Sequence, residues 1–338
     1  MCCLVLGKYR LILDAIKRHF QNTNMTDLLL GTSGYDYPEW KGVFYPAALK
    51  RKDFLPYYST VFNALELNFS FYGLPTAERL LSFYERSEGR LAFSVKANRL
   101  LTHEISGGWK DVAVDFKAAL NSLLQKDCLC AVLFQFPQSF HYTDENRIYL
   151  ARLISEFEGF PVVIEFRHLE WIRQSVFAGL EERGASLVFC DMPMCRMAQT
   201  SIISNYANGA ERRMPRLNNL PAGNFSGGEA RLAPSSFIGK TAYIRLHGRN
   251  AEAWYCHEER EGEKNGSGRY RYDYNDAELC EFVPVVQSAL QEGKRTAVFF
   301  NNHPDGSGAK NARRLGEMIL EGRGDDKFPH KSVNSRYN

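Results

Sequence analysis

Val162-Val163-Ile164-Glu165-Phe166-Arg167 is a short run of β-branched and aromatic residues, and Val176 to Arg183 beyond it has amphipathic-helix spacing. A run this short reads as a buried strand, and the change to helical periodicity after it is the signature of a parallel βα unit. The unit recurs in both directions along the chain. Strands are predicted at Leu28–Gly31, Ala64–Asn68, Leu91–Lys96, Ala131–Phe136, Val162–Phe166, Ser186–Cys190, Thr241–Leu246 and Thr296–Phe300. Helices are predicted at Thr76–Ser87, Trp109–Leu124, Asp144–Glu156, Val176–Arg183, Asp276–Glu292 and Lys310–Leu320. Eight strands and a closing helix suit an α/β fold of the TIM-type (β/α)8 barrel class better than an open doubly wound sheet. No G-x-G-x-x-G fingerprint follows the first strand.

The decisive run is interrupted by charge. Side chains two apart in a strand share a face, so Glu165 and Arg167 point the same way, as do Glu66 with Asn68 and Arg245 with His247. The apolar residues between them pack against the helices, which leaves the polar ones facing the barrel axis. Lys96 ends the third predicted strand, Gln135 lies late in the fourth, Asp191 follows the sixth, and Asn301 and Asn302 follow the eighth. All lie at strand carboxyl ends, where barrel enzymes place their chemistry. Aromatic residues gather in the same loops: Tyr35, Tyr37, Trp40, Phe71, Tyr72, Trp171, Trp254 and Tyr255. Together with the cations they would stack on a sugar or a base.

The whole-chain composition excludes little else. With 338 residues and 24% charged, the chain can build one large core, and a net charge of +3 demands no polyanionic partner. The eight cysteines form no zinc-ribbon knuckles and read as reduced thiols in a cytoplasmic protein. No apolar run is long enough to span a bilayer, and Lys8 and Arg10 interrupt the only stretch resembling a leader. Residues 1–24 read as an extension outside the domain, with a weak amphipathic helix near 11–20 as the alternative, and residues 25–322 as the barrel. Residues 323–338 read as a disordered basic tail. Residues 193–236 form a predicted long loop after the sixth strand, carrying Arg196, Arg212, Arg213, Arg216 and Arg231.

From Gly31-Thr32-Ser33-Gly34-Tyr35-Asp36-Tyr37-Pro38-Glu39-Trp40 onward the chain resembles the YecE-like family, a domain of unknown function. The resemblance continues in order through Glu66-Leu67-Asn68, Lys96 with Thr102-His103, Gln135-Phe136-Pro137, Glu165-Phe166-Arg167-His168 with Trp171, Arg245-Leu246-His247-Gly248 and Asn301-Asn302. It implies a TIM-type barrel and brings no established reaction with it.

Two carboxylates, three cations and a histidine at one mouth suit acid/base chemistry on a small anionic substrate, such as a phosphorylated or carboxylated sugar or nucleotide. In this reading His247, Glu165 and Glu66 are the catalytic set, with His247 and Glu165 exchanging protons. Arg167, Arg245 and Lys96 clamp the anion. Asn68, Gln135, Tyr35, Tyr72, Trp171, Tyr255 and Asn302 complete the substrate-binding set. Phosphoester hydrolysis or isomerisation would fit. No cofactor is expected. A divalent metal on Glu66, Glu165, Asp191 and His247 is a weaker alternative, because the eighth strand ends in amides where a further carboxylate would help. Two other readings stay open: a nucleic-acid-binding or -processing protein using the Arg-rich loop and rim aromatics, and a non-catalytic ligand-binding barrel.

Overall fold

Alternation within the strands sorts the buried side chains of the computed structural model into two populations, one facing the helices and one facing an axis. The structure describes residues 28–193, 237–255 and 267–321. Within them the strands are β1 Leu28–Ser33, β2 Ala64–Leu67, β3 Ala92–Lys96, β4 Leu129–Phe136, β5 Val162–Phe166, β6 Ser186–Asp191, β7 Thr241–Leu246 and β8 Arg295–Phe300. All eight pair in parallel with their chain neighbours, and β8 returns to β1, closing a TIM-type (β/α)8 barrel. Leu65, Phe93, Val132, Phe134, Ile164, Leu187, Ile244 and Val298 belong to the large cluster beneath the helices. Ala64, Ala131, Leu133, Val163, Val188, Tyr243, Ala297 and Phe299 form a separate inner cluster. The inner set is small-rich at β2, β4 and β8 and bulky where Tyr243 and Phe299 meet, their rings 5.3 Å apart, so the axis is filled rather than hollow.

The helices are α1 Phe54–Val61, α2 Ala77–Arg86, α3 Trp109–Leu124, α4 Asp144–Glu156, α5 Gln174–Glu182, α6 Ala251–Tyr255, α7 Asp276–Cys280, α8 Val283–Gln291 and α9 Ser307–Glu321. Thr76 and Thr143 accept the N3 amides of α2 and α4, so each helix begins where a capping hydroxyl is available. The single helix expected over 276–292 is two. Pro284 sits in the first turn of α8, where its missing N–H is harmless. In a continuous helix it would remove a hydrogen bond and clash with the preceding turn.

The β1–β2 seam is closed by side chains as much as by ladder. Asn63 donates to the Leu28 carbonyl at 2.7 Å and accepts from the Leu30 amide at 2.8 Å, acting as an extra stretch of strand. The Tyr58 hydroxyl accepts the Thr32 amide at 2.8 Å and donates to the Ala64 carbonyl at 3.0 Å. Gly31 makes this approach possible, since a Cβ there would sit 2.0 Å from the Ala64 oxygen.

The extension at 1–24, the tail at 323–338 and the five loop arginines between 194 and 236 lie outside the described residues. Cys128, Cys130 and Cys190 are buried free thiols and Cys280 is an exposed one. Among the described residues no helix is long and apolar enough to cross a membrane.

Candidate functional site

Above the apolar inner layer the barrel interior turns polar. Glu66 of β2, Glu165 of β5 and Arg245 of β7 have essentially no exposed surface, and they meet on the axis. Arg245 donates to both Glu66 oxygens, Nε to Oε2 at 3.0 Å and Nη2 to Oε1 at 2.7 Å, the fork-to-fork geometry that a planar guanidinium favours. Its third nitrogen, Nη1, reaches Glu165 Oε2 at 2.5 Å. Tyr243 donates to Glu66 Oε2 at 2.9 Å and lies 2.6 Å from the Ser94 hydroxyl. Arg167 then pairs with the other Glu165 oxygen, Nη2 to Oε1 at 2.5 Å. Burial alone would raise the Glu165 carboxyl. Arg167, Arg245 and His247 overcome that and hold it well below the usual carboxylate range.

This floor corrects three expected roles. Arg245 is enclosed between two carboxylates and presents no surface to a ligand, so it organises the site instead of clamping an anion. Glu66 is likewise sealed beneath the mouth. Glu165, held ionised between two guanidiniums, is an electrostatic partner rather than half of a proton-exchanging pair.

The mouth above the floor is more open. Lys96, Gln135 and Arg167 are all partly exposed there. Lys96 donates to Gln135 Oε1 at 2.9 Å and lies 4.2 Å above the Phe71 ring centroid. Burial, reinforced by Arg245, lowers the Lys96 ammonium to about 8, although Glu165 and Glu66 oppose the shift. His247 is fully buried between neighbours: Nε2 is 3.3 Å from Arg167 Nη2 and 3.8 Å from Glu165 Oε1, and Nδ1 is 3.1 Å from the Asn301 amide. A guanidinium can only donate, whereas an Asn amide can turn either end inward. Nε2 therefore carries the accepting lone pair and Nδ1–H points to Asn301. Burial, then Arg167 and Arg245, push the imidazole well below its ordinary value, so it is neutral at pH 7. Gly248 follows at φ +97, where a Cβ would sit 2.5 Å from Tyr272 Cβ, which explains the His-Gly pair.

A ring of aromatic contacts borders the mouth. Tyr37 stacks on His303 with centroids 5.0 Å apart, His303 neighbours Tyr270, and Tyr270 meets Trp254 at 5.8 Å. Arg167 lies over Trp254 at 5.6 Å, and on the opposite side Phe71 meets His103 at 4.8 Å. Ser33 Oγ, Asn68 Oδ1 and Trp254 Nε1 are buried without hydrogen-bond partners. Unsatisfied atoms of this kind are unusual in folded proteins and fit a site that receives polar groups from a ligand or water.

Several expected members lie elsewhere. Trp171 is buried behind β5, stacked on Phe166 and Phe140 and donating to the Phe140 carbonyl, so it packs the helix layer instead of lining the mouth. Tyr35 turns outward against Tyr58 and Phe83. Asn302 is buried with Nδ2 on the Tyr270 carbonyl, and Asn301 takes the place beside His247. Tyr72 stands exposed against Phe71. The Tyr255 side chain lies outside the described residues. Asp191 faces away from the axis and is held by Arg249 and Tyr274. The expected metal set therefore does not assemble. Cys190 takes the inward position instead, with ligand atoms of Glu165, Cys190 and His247 within 4.8 Å of one another. Arg167 and Arg245 on Glu165 make that a poor seat for a dication. Tyr243, Cys190, His303 and Tyr270 were not singled out from sequence.

A family model described as "Protein of unknown function DUF72" matches residues 29–332. The UPF0759 protein YunF of Bacillus subtilis (strain 168) is 27% identical over 285 residues, covering 81% of this chain and 89% of that protein. The crystal structure of a DUF72 family protein (TM1631) from Thermotoga maritima superposes with TM-score 0.65 at 28% identity, covering 87% of this chain and 99% of the other. A DUF72 family protein (EF0366) from Enterococcus faecalis shares the fold with TM-score 0.64 at 19% identity, covering 92% of this chain and 99% of that chain.

Proposed function

The chain belongs to the DUF72 family of proteins of unknown function, and from the charge arrangement at its barrel mouth we propose that it binds and transforms a small anionic compound, a phosphorylated or carboxylated sugar- or nucleotide-like molecule. One observation carries this reading. The two axial carboxylates are each engaged by guanidinium, Glu66 by Arg245 and Glu165 by both Arg245 and Arg167, so Lys96 is left beside them with no ion pair among the described residues. A partly buried cationic excess of this kind favours an anion. Arg167 then receives the charged group, Lys96 adds to the cationic field at the mouth, and Asn68, Ser33 and Gln135 meet hydroxyls. His247, neutral and tautomerically fixed, is the group that takes up or releases a proton. Glu165 orients Arg167 and compensates charge on the imidazole.

The test is a thermal-shift and calorimetric panel of sugar phosphates, sugar acids and nucleotides against their neutral counterparts. Anionic members should raise Tm and bind saturably. Arg167→Gln should weaken that binding at least tenfold, and His247→Gln should retain binding while losing turnover of whichever compound is transformed. Equal stabilisation by neutral counterparts, or no response to any anion, rejects the proposal.

A further inference from the structure

Lys96 has surroundings that suit more than charge recognition. Its nitrogen has no carboxylate within ion-pair distance among the described residues, its one hydrogen bond goes to a neutral amide oxygen, and the Phe71 face walls one side. We propose that Lys96 is a nucleophile that forms an imine with the carbonyl group of the bound compound, which makes the ligand class a small aldehyde or ketone bearing a carboxylate or phosphate. The inference rests on the anion-binding reading above and deepens it.

The chemistry balances without any further reagent. The lysine nitrogen adds to the carbonyl carbon, giving a carbinolamine. The carbonyl oxygen then leaves as water with two protons, and a C=N bond replaces C=O. The neutral amine is the reacting form, and Lys96 supplies it near neutrality because burial and Arg245 lower its ammonium to about 8. Donating one N–H to Gln135 Oε1 leaves the amine lone pair free to meet the carbonyl. The proton that the addition step frees from nitrogen passes to the former carbonyl oxygen. The charged neighbours that bear on Lys96 are Arg245, Glu165, Glu66 and Arg167. Arg167 is the one both partly exposed and cationic, and it is suited to hold the anionic end of the compound.

The experiment incubates the full-length protein with glyoxylate, and separately with dihydroxyacetone phosphate, at pH 7.5 in the presence of cyanoborohydride, and maps reduced adducts by peptide mass spectrometry. The exposed lysines of the same chain serve as the internal reference. An amine whose pKa is about 8 has on the order of a hundredfold more neutral form at this pH than an ordinary lysine. Labelling of Lys96 should exceed that of the exposed lysines by at least about tenfold, since lower basicity also lowers intrinsic reactivity. Arg167→Gln should slow Lys96 labelling by one of the two probes while leaving the reference lysines unchanged. The probe affected identifies the carboxylate or the phosphate as the anionic end. Lys96 labelling no faster than the exposed lysines, in protein that still binds anions, overturns the imine and leaves anion binding standing. Loss of anion binding itself overturns both.

Discussion

Arg245 makes three hydrogen bonds to two carboxylates with no solvent to share them, and its removal leaves Glu66 buried without a cation and Glu165 with Arg167 alone. Breaking a buried ion pair from one side costs about 3–5 kcal/mol. Arg245→Met should lower the urea-extrapolated unfolding free energy by about that much, and a loss below about 1 kcal/mol would show that the network is solvated. The pH dependence follows from the same cluster. Glu165 and His247 both have depressed pKa values, so the folded chain holds fewer protons than the unfolded chain once pH falls beneath their ordinary values, 6.5 for the imidazole and 4.5 for the carboxyl. Stability therefore falls as pH drops below about 6.5. His103 and His303, also lowered mainly by burial, act with the same sign. Denaturation midpoints at pH 7.5, 6 and 5 should decline in order, and His247→Gln should make the decline shallower; an unchanged slope would mean that the imidazole titrates normally. At this scale the sequence was informative where polar residues stand two apart inside apolar runs, because parity alone aims both at the axis. It misled where that parity was not carried one residue further. Along β6 and just past it, Val188, Cys190 and Met192 share the inner cluster and leave Asp191 outside, and in β8 the parity of Ala297 and Phe299 selects Asn301 over Asn302. Trp171 and Tyr35 follow strands in loops, where alternation no longer applies and packing partners decide direction.

Among the elements, the β1–β2 seam depends on a hydroxyl. Tyr58 arises from α1, yet its oxygen bridges the Thr32 amide and the Ala64 carbonyl between two strands, with the Thr32 side chain 3.0 Å away. Tyr58→Phe keeps the ring in its cluster and leaves a buried amide and carbonyl without a partner, at a cost of about 1–3 kcal/mol. Equilibrium unfolding should report that loss, and hydrogen exchange should show the Thr32 amide losing protection more than amides of β4 or β5. Uniform loss of protection would mean that the hydroxyl plays no local part. All eight strands were legible, since β-branched runs between helical stretches have few other readings. Their ends were not always so. β1 runs on through the polar Thr32 and Ser33, past the end of the apolar run, because they pair with Leu65 and Glu66. Nor was the division at Pro284 recognised within an otherwise helical pattern.

For the molecule as a whole, closure is the property on which the mouth depends, and α9 holds it from outside. Leu315 and Ile319 are buried, and Gly316 comes so close to β1 that a Cβ would sit 3.0 Å from the Leu30 side chain. Asn311 of the same helix accepts the Tyr274 amide at 3.1 Å and donates to the Tyr274 carbonyl at 2.9 Å. The Tyr274 hydroxyl in turn donates to Asp191 at 2.7 Å and accepts the Gly248 amide at 2.9 Å, beside His247. One helix thus covers the β8–β1 junction and, through a single tyrosine, fixes the ends of β6 and β7. A chain ending at Gly306 keeps every strand and every charged residue of the site. It nevertheless exposes the apolar outer face of that junction and orphans both backbone groups of Tyr274. It should lose cooperative unfolding and near-ultraviolet circular dichroism while binding a hydrophobic dye, the behaviour of a collapsed chain without fixed packing. If the shortened chain instead melts in one sharp transition near the intact protein, strand pairing alone closes the barrel, and the geometry around His247 does not depend on α9.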